Sequence, residues 1–331
     1  MGETKFPYGV SSMGVPVFGN QGFMTPGKSY FLDPVNGNDS YDGKNIRRAK
    51  KTLTAAYALL TENQNDVLYY IGGSSAISLK ATLTWAKAYT YMIGISSGSM
   101  TGGRARIFQD STATAVTPLF NVTAAGCLFQ NLYFYQGVAN AAVKVCVNLA
   151  STATKVVFDN CHIYGISDDA QDVDGACSLK LDGCDENSFI NCRIGGDTKD
   201  AGSAATSAEI IFDDEASKNY FIDCMIYRRI EHNTNHPLLY VADALGIGAH
   251  NWFKRCCFLY TATSQAYHGT AVVKYAAAIS SKTRIMIFQD CMSIAGDGAT
   301  ALAWDADSRG VTVTNMIAPT ASAGGGKGTW I

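Results

Sequence analysis

The stretch Phe158-Asp159-Asn160-Cys161-His162-Ile163 returns as Phe189-Ile190-Asn191-Cys192-Arg193-Ile194, as Phe221-Ile222-Asp223-Cys224-Met225-Ile226 and as Phe253-Lys254-Arg255-Cys256-Cys257-Phe258. Looser copies stand at Phe129-Gln130-Asn131-Leu132-Tyr133-Phe134, Phe288-Gln289-Asp290-Cys291-Met292-Ser293 and Val313-Thr314-Asn315-Met316-Ile317. Successive copies are offset by 29, 31, 32, 32, 35 and 25 residues, the behaviour of a structural repeat with loops of variable length. Within a copy the leading large residue, the residue after the Asn or Asp and the one two further on are apolar, and the positions between them vary. Such alternation marks half-buried strands. It is broken once, where Asn or Asp tolerates the left-handed backbone of a tight bend.

A second strand precedes each copy, at Val145-Leu149, Leu179-Leu181, Glu209-Phe212, Leu238-Val241, Val272-Tyr275 and Ala301-Trp304. Two or three short strands cannot bury their own apolar face, but coils laid one on another can. The fold expected is therefore all-β, a right-handed single-stranded parallel β-helix, its hand following the crossover preference. Leucine-rich repeats need a Leu/Asn grammar that is absent, and propeller blades need four antiparallel strands. The divisions expected are an extended N-terminal arm (1–28), an opening strand, turn loop and capping helix (29–62), the β-helix (63–318) and a Gly/Ser-rich tail (319–331).

Charged residues make up only 16% of the chain and the net charge is -2, so no nucleic-acid partner is expected. No segment is apolar enough for membrane insertion, and Met1-Gly2-Glu3-Thr4-Lys5-Phe6-Pro7 does not read as a signal peptide. Of ten cysteines, Cys161, Cys192, Cys224, Cys256 and Cys291 hold one slot of successive repeats. They are expected to be free thiols in a buried ladder, made in a reducing cytoplasm. That usage argues against a conventionally secreted polysaccharide-degrading enzyme. With no CxxC pair, no zinc cluster is expected.

The arm carries isolated aromatics within Gly, Ser and Pro, and Phe6, Tyr8, Val15 and Phe18 are the residues expected to lie on another surface. The string from Asp33 to Asp42 is rich in Asp, Asn and Gly. It reads first as turns and second as a calcium loop lacking the complete EF-hand spacing. Apolar residues at Leu53, Ala56, Tyr57 and Leu60 predict an amphipathic helix within 48–60 that covers the open end of the stack. The chain from Thr82 to Tyr91 shows no single period.

Tyr30-Phe31-Leu32-Asp33-Pro34-Val35-Asn36-Gly37-Asn38-Asp39, with Asp42-Gly43 and then Lys51-Thr52-Leu53 and Ala55-Ala56, resembles the opening segment of pectin-lyase-like β-helix proteins. The stretch with Gly14-Val15-Pro16-Val17 resembles those encoded near capsid genes of tailed bacteriophages, of the capsid-decoration or head-fibre type. The resemblance implies a virion protein, with the major capsid protein or other virion proteins as partners. It also implies a homo-oligomer, a trimer before other states.

Pectin-lyase-like enzymes work with clustered carboxylates, either paired for acid/base hydrolysis or holding calcium beside a basic residue. The candidates here are Asp168, Asp169, Asp172 and Asp174, then Asp213 and Asp214, then Arg228, Arg229, Glu231 and His232, which converge if the loops fold alike. Each also reads as an ordinary solvated loop residue. His268 in Tyr267-His268-Gly269 lacks the preceding Gly of the polygalacturonase element, and the Asn-Thr-Asp and Arg-x-Lys signatures are missing. His162 and Arg193 fall on the outward slot of adjacent copies and read as sheet surface. No Ser-His-Asp grammar, nucleotide-binding glycine loop or HExxH occurs.

No catalytic residue, metal or cofactor is assigned on this basis. The leading expectation is a non-enzymatic structural protein decorating or projecting from a capsid. The alternative is a tailspike-like protein that binds or cleaves a host surface glycan along Asp168, Asp169, Asp172, Asp213, Asp214, Arg228 and His232, with Tyr164 and Tyr227 stacking on sugars.

Overall fold

A computed structural model describes residues 25–96, 105–113, 115–201, 206–230, 237–262, 272–276, 284–294 and the backbone of 11–12, 15–16 and 311–314. Candidate anchors Phe6, Tyr8 and Phe18, together with Glu231, His232 and His268, lie outside the described residues, and Val15 is described by its backbone alone. Of the arm, Ser11–Ser12 pairs antiparallel with Val15–Pro16.

Each coil of the parallel β-helix runs through three parallel sheets, which hold ten, eight and seven strands among the described residues. The coil between Ser188 and Asp213 is typical. Ser188–Ile190 lies in the first sheet, Asn191 turns the corner, Arg193–Ala201 lies in the second sheet and Ala208–Asp213 in the third. The seven copies of the repeat stack in register. Phe129 pairs with Phe158, and the row continues through Phe189, Phe221, Phe253 and Phe288 to Val313. Before the repeat becomes recognisable, Tyr30, Leu68 and Met92 fill the same row.

The corner is made as the sequence indicates. Asn131, Asn160, Asn191, Asp223 and Asp290 all take positive φ, between 49° and 56°, and Arg255 is forced to 53° in the same slot. A bend there swings the next residue inward, so Cys161, Cys192, Cys224, Cys256 and Cys291 are buried free thiols. Each Sγ lies 3.3–3.4 Å from the carbonyl oxygen of a Phe in the coil before, Cys192 on Phe158 and Cys224 on Phe189 among them. The Phe rings above and below stand 4.5–5.3 Å apart, centroid to centroid. Full burial of each such ring contributes about 1.5–3 kcal/mol, and the offset stacking adds to it.

A third column is polar. Asn187, Asn219 and Asn251 are fully buried. Asn187 Nδ2 donates to Asn219 Oδ1 and Asn219 Nδ2 to Asn251 Oδ1, both at 3.0 Å. The same oxygens accept backbone N–H groups of the preceding coil, Asn187 N on Asn219 and Asn219 N on Asn251, and Asn187 Oδ1 accepts likewise from Val156 N. The column satisfies backbone donors that the bend between the third and first sheets leaves without a ladder partner.

Helix α1 spans Leu53–Leu59, with the Thr52 side chain accepting from Ala55 N, and a separate 3₁₀ turn occupies Ile46–Arg48. The helix starts later than the periodicity allows because Asp39 pins the chain ahead of it, accepting from Lys51 N, Thr52 N and Thr52 Oγ1. Leu53, Ala56 and Leu60 join the core, and the Tyr57 ring meets Trp85 at 4.7 Å. The helix thus closes the first coil. The stretch from Thr82 to Tyr91 supplies a strand of the third sheet, Leu83–Trp85, and then turns at Tyr89, φ 51°.

Asn219→Ala removes both links of the Asn column and strands the buried amide of Asn187. A loss of about 2–4 kcal/mol is expected, read as a fall in the denaturant midpoint. A change inside about 0.5 kcal/mol, the size of an ordinary surface substitution, would show that the column is incidental.

Candidate functional site

The candidate residues divide between the interior of the coil and its outer surface. Asp168 caps the 3₁₀ turn Asp169–Gln171 through Ala170 N, and Asp169 is exposed. The turn carries Asp172 inward to Arg228. Asp172 Oδ1 lies 2.8 Å from Arg228 Nη2, with side-chain exposures of 0% and 2%. Ser207 closes the set, donating Oγ–H to Asp172 and accepting from Arg228 Nη2 at 2.8 Å and, on its carbonyl, from Nη1 at 3.1 Å. Arg228 is therefore a buried interior residue and not part of a surface groove. It shares the inward face of Met225–Ile230 with Ile226 and Ile230, the alternation every strand obeys.

Glu209 stands on the other side of the guanidinium, its Oε1 3.8 Å from Arg228 Nε and its Oε2 accepting from Ser178 Oγ at 2.5 Å. Burial pushes its pKa up from an ordinary 4.5 to about 6, against the opposing pull of Arg228. Room for this carboxylate comes from Gly195. Its φ is +95°, and a Cβ there would lie 2.0 Å from Tyr227 O and 2.8 Å from Glu209 Cδ.

The outward row of the second sheet is also covered. His162 and Arg193 do pair on that face, yet their relative exposures are 5% and 9%. The His162 ring stacks on Tyr133 at 4.4 Å, its Nε2 lies 2.9 Å from Gly195 O, and the Arg193 guanidinium sits 4.1 Å over Tyr227. Tyr164 and Tyr227, expected as exposed sugar platforms, are buried at 3% and 2%. Rings this wide on neighbouring strands shield one another.

An open groove of about 450 Å³ lies instead on the outer face of the third sheet. Asp182 and Asp213 face each other in register across one coil step. Lys180 bridges them, with Nζ 3.1 Å from Asp182 Oδ1 and 2.9 Å from Asp213 Oδ2. The three side chains keep 26–38% of their exposure, so solvent reaches them. Partial burial works against the Lys180 charge, but its hydrogen bonds to Asp213 and Asp182 outweigh it and hold its pKa above the usual value. Asn148, Ile211 and Tyr240 complete the floor. Of the sequence candidates only Asp213 reaches this groove. Asp214 turns away at φ 49° and is exposed. Lys180 and Asp182 were legible as the polar half of Leu179-Lys180-Leu181-Asp182.

In the loop from Asp33 to Asp42 the carboxylates are engaged locally. Asp33 accepts from Val35 N, Asn36 N and Asn36 Nδ2, and Asp42 from Lys44 N and Arg48 Nε. These bonds lower the pKa of Asp33 although burial opposes them. Among the described residues no three His, Cys, Asp or Glu side chains gather as a metal site, and no helix is long and apolar enough to cross a membrane.

No family model matches the chain, and no curated protein is similar to it. Among solved structures it is similar to a pectin methylesterase in complex with a hexasaccharide, at TM-score 0.55 and 12% identity over 91% of this chain and 92% of that one. The pectin methylesterase PemA from Erwinia chrysanthemi follows at TM-score 0.53 and 12% identity, over 91% and 92%. Pectate lyase Pel9A gives TM-score 0.51 and 14% identity, over 88% and 79%. The chain shares their fold. At such identities the likeness extends to the parallel β-helix and not to any residue of a site.

The buried cluster gives stability a distinct pH dependence. A carboxyl whose folded pKa is raised contributes most while protonated, so its contribution is complete below 4.5 and declines as pH rises through about 6. Glu209→Gln should abolish a loss of about 2 kcal/mol between pH 4.5 and pH 7, measured by chemical denaturation at both pH values. An unchanged slope in the variant would place the proton elsewhere.

Proposed function

We propose that this chain is a structural component of a tailed-phage particle, a stiff non-catalytic β-helix held to the capsid through its N-terminal residues and projecting from it. The reading is carried by one observation: the acidic groups suited to acid/base chemistry are already engaged by the chain's own side chains. Asp172 is closed onto Arg228 and Ser207, Glu209 is shut inside with Ser178, and Asp182 and Asp213 share Lys180. Glycoside hydrolysis needs two carboxyls open to the substrate, and elimination needs a base beside an oxygen-bound cation. Among the described residues Asp182 and Asp213 are a carboxyl pair that solvent reaches, and Lys180 lies between them with a hydrogen bond to each. The particle itself is implied by the resemblance of the stretch with Gly14-Val15-Pro16-Val17 to phage β-helix proteins, with Phe6, Tyr8, Val15 and Phe18 as the anchoring residues and the major capsid protein as partner.

A second reading, saccharide binding without cleavage, is favoured by the groove on the third sheet. Lys180, Asp182, Asp213 and Asn148 offer donors and acceptors for hydroxyl groups, above an apolar floor of Ile211 and Tyr240, the mix that holds a sugar ring. One of the similar structures was solved with a hexasaccharide.

The test is to mix the purified chain with undecorated heads and sediment them. Saturable binding that is lost on deletion of residues 1–28 is the expected result. Failure to bind, together with host-polysaccharide binding abolished by Lys180→Ala, would replace the first reading with the second. Release of reducing ends would contradict both.

A further inference from the structure

The first sheet presents a part-exposed outer face, apolar at its centre and polar toward Gln130 and Gln289, that the stacked coils leave open. Its strands alternate strictly, so that on either side of the buried Phe189, Phe221 and Phe253 the outward side chains are part-exposed. Ile190 pairs with Ile222 and Tyr220 with Trp252, and these sit on the outer surface of the sheet. On one outward row, running Asp159, Ile190, Ile222 and Lys254 on consecutive coils, the first and last residues are oppositely charged. In the adjoining outward row the same four coils carry Val157, Ser188, Tyr220 and Trp252, with no charge. Depletion of charge at the centre of a patch, with Trp and Tyr enriched, is the composition of an interface.

We propose that a second copy of this chain covers this face, the two β-helices packing sheet on sheet about a two-fold axis parallel to the strands. Such an axis reverses the direction of the coils and keeps each outward row opposite itself. Placed midway between the coils of Ile190 and Ile222, it sets Ile190 over Ile222 of the partner subunit. The same operation sets Asp159 opposite Lys254 of the partner subunit, and by symmetry Lys254 opposite the partner's Asp159. Both charges of the two rows are thereby matched twice over. Another registration on the same axis would leave Asp159 and Lys254 against uncharged groups, Gln130 and Gln289 among them, or against themselves.

The area is sufficient. With strands about 4.8 Å apart, an overlap of eight strands runs about 38 Å, and two outward rows with their side chains are about 16 Å wide. That makes about 600 Å² on each copy and about 1,200 Å² in all, the lower bound for specific association, so a dimer of micromolar affinity is expected. A two-fold dimer also differs from the trimer that the phage resemblance implies, because flat faces around a three-fold axis cannot bring these two charges opposite each other reciprocally. The pairing holds whether or not the chain belongs to a particle.

Sedimentation velocity of the full chain across a concentration series, up to about 100 µM, tests it. The wild-type chain should pass from monomer to dimer. Asp159→Lys and Lys254→Asp should each weaken the dimer at least tenfold, because each sets like charges together at both matched positions. An equimolar mixture of the two variants should recover wild-type association, since every contact then joins unlike charges, and this recovery also shows that both variants are folded. A monomer at every concentration would overturn the proposal, whether residues 1–24 or a different protein covers the face. A dimer or trimer indifferent to the substitutions, or a mixture that fails to recover, would overturn it as well.

Discussion

Everything in this molecule follows from the requirement that one coil sit on the next with like side chain over like. A strand of three residues in the first sheet cannot form a core, but a column of them can, and the column exists only if every coil delivers the same residue to the same height. Phe158, Phe189 and Phe221 do so with nearly parallel stacked rings, inclined by 11° and 6°. Thiols from Cys161 to Cys291 fill the space beside them and donate to carbonyls of the coil before. The Asn column does the same with stronger bonds. Length variation is then confined to the connections beyond the strands, which is why offsets of 29 to 35 residues between Phe129 and Phe288 coexist with an unbroken register.

The repeat was legible because strand, corner and inward thiol are adjacent in sequence. Even Arg255, a residue with no preference for the left-handed region, could be placed at the corner by its position between Phe253 and Cys256. Asn187, Asn219 and Asn251 were equally periodic, each two residues before its Phe, but a buried amide does not stand out when hydrophobicity alone is followed. Arg228 was misplaced for a related reason. Charge suggested solvent, whereas the alternation Ile226, Arg228, Ile230 points inward. Tyr164 and Tyr227 were misplaced for the opposite reason, since they do lie outward, and the sequence does not show that neighbouring rings and the Arg193 side chain cover them.

Two polar sets of different kinds result. Inside, Asp172, Arg228, Ser207, Glu209 and Ser178 engage one another, with Arg228 Nε facing Glu209 at 3.8 Å as an ion pair and without a hydrogen bond, and such a set costs stability where a member is left short of a partner. Its contribution is to fix how the second sheet passes to the third over successive coils. Outside, Lys180, Asp182 and Asp213 are wet, balanced in sign and shallow. A fold held by repetition leaves long faces free, and which of them is occupied determines what the rod does.

The stacked interior itself is best tested by its thiols. Burial pushes the Cys184 thiol up to about 12 and the Cys127 thiol to about 11, and of the ten cysteines only Cys257 is part-exposed. Titration of the native chain with a charged thiol reagent, with the modified positions mapped by mass spectrometry, should label Cys257 alone at an appreciable rate and all ten after unfolding. Rapid labelling of Cys161, Cys192 and Cys224 in the native chain would mean that no closed column exists.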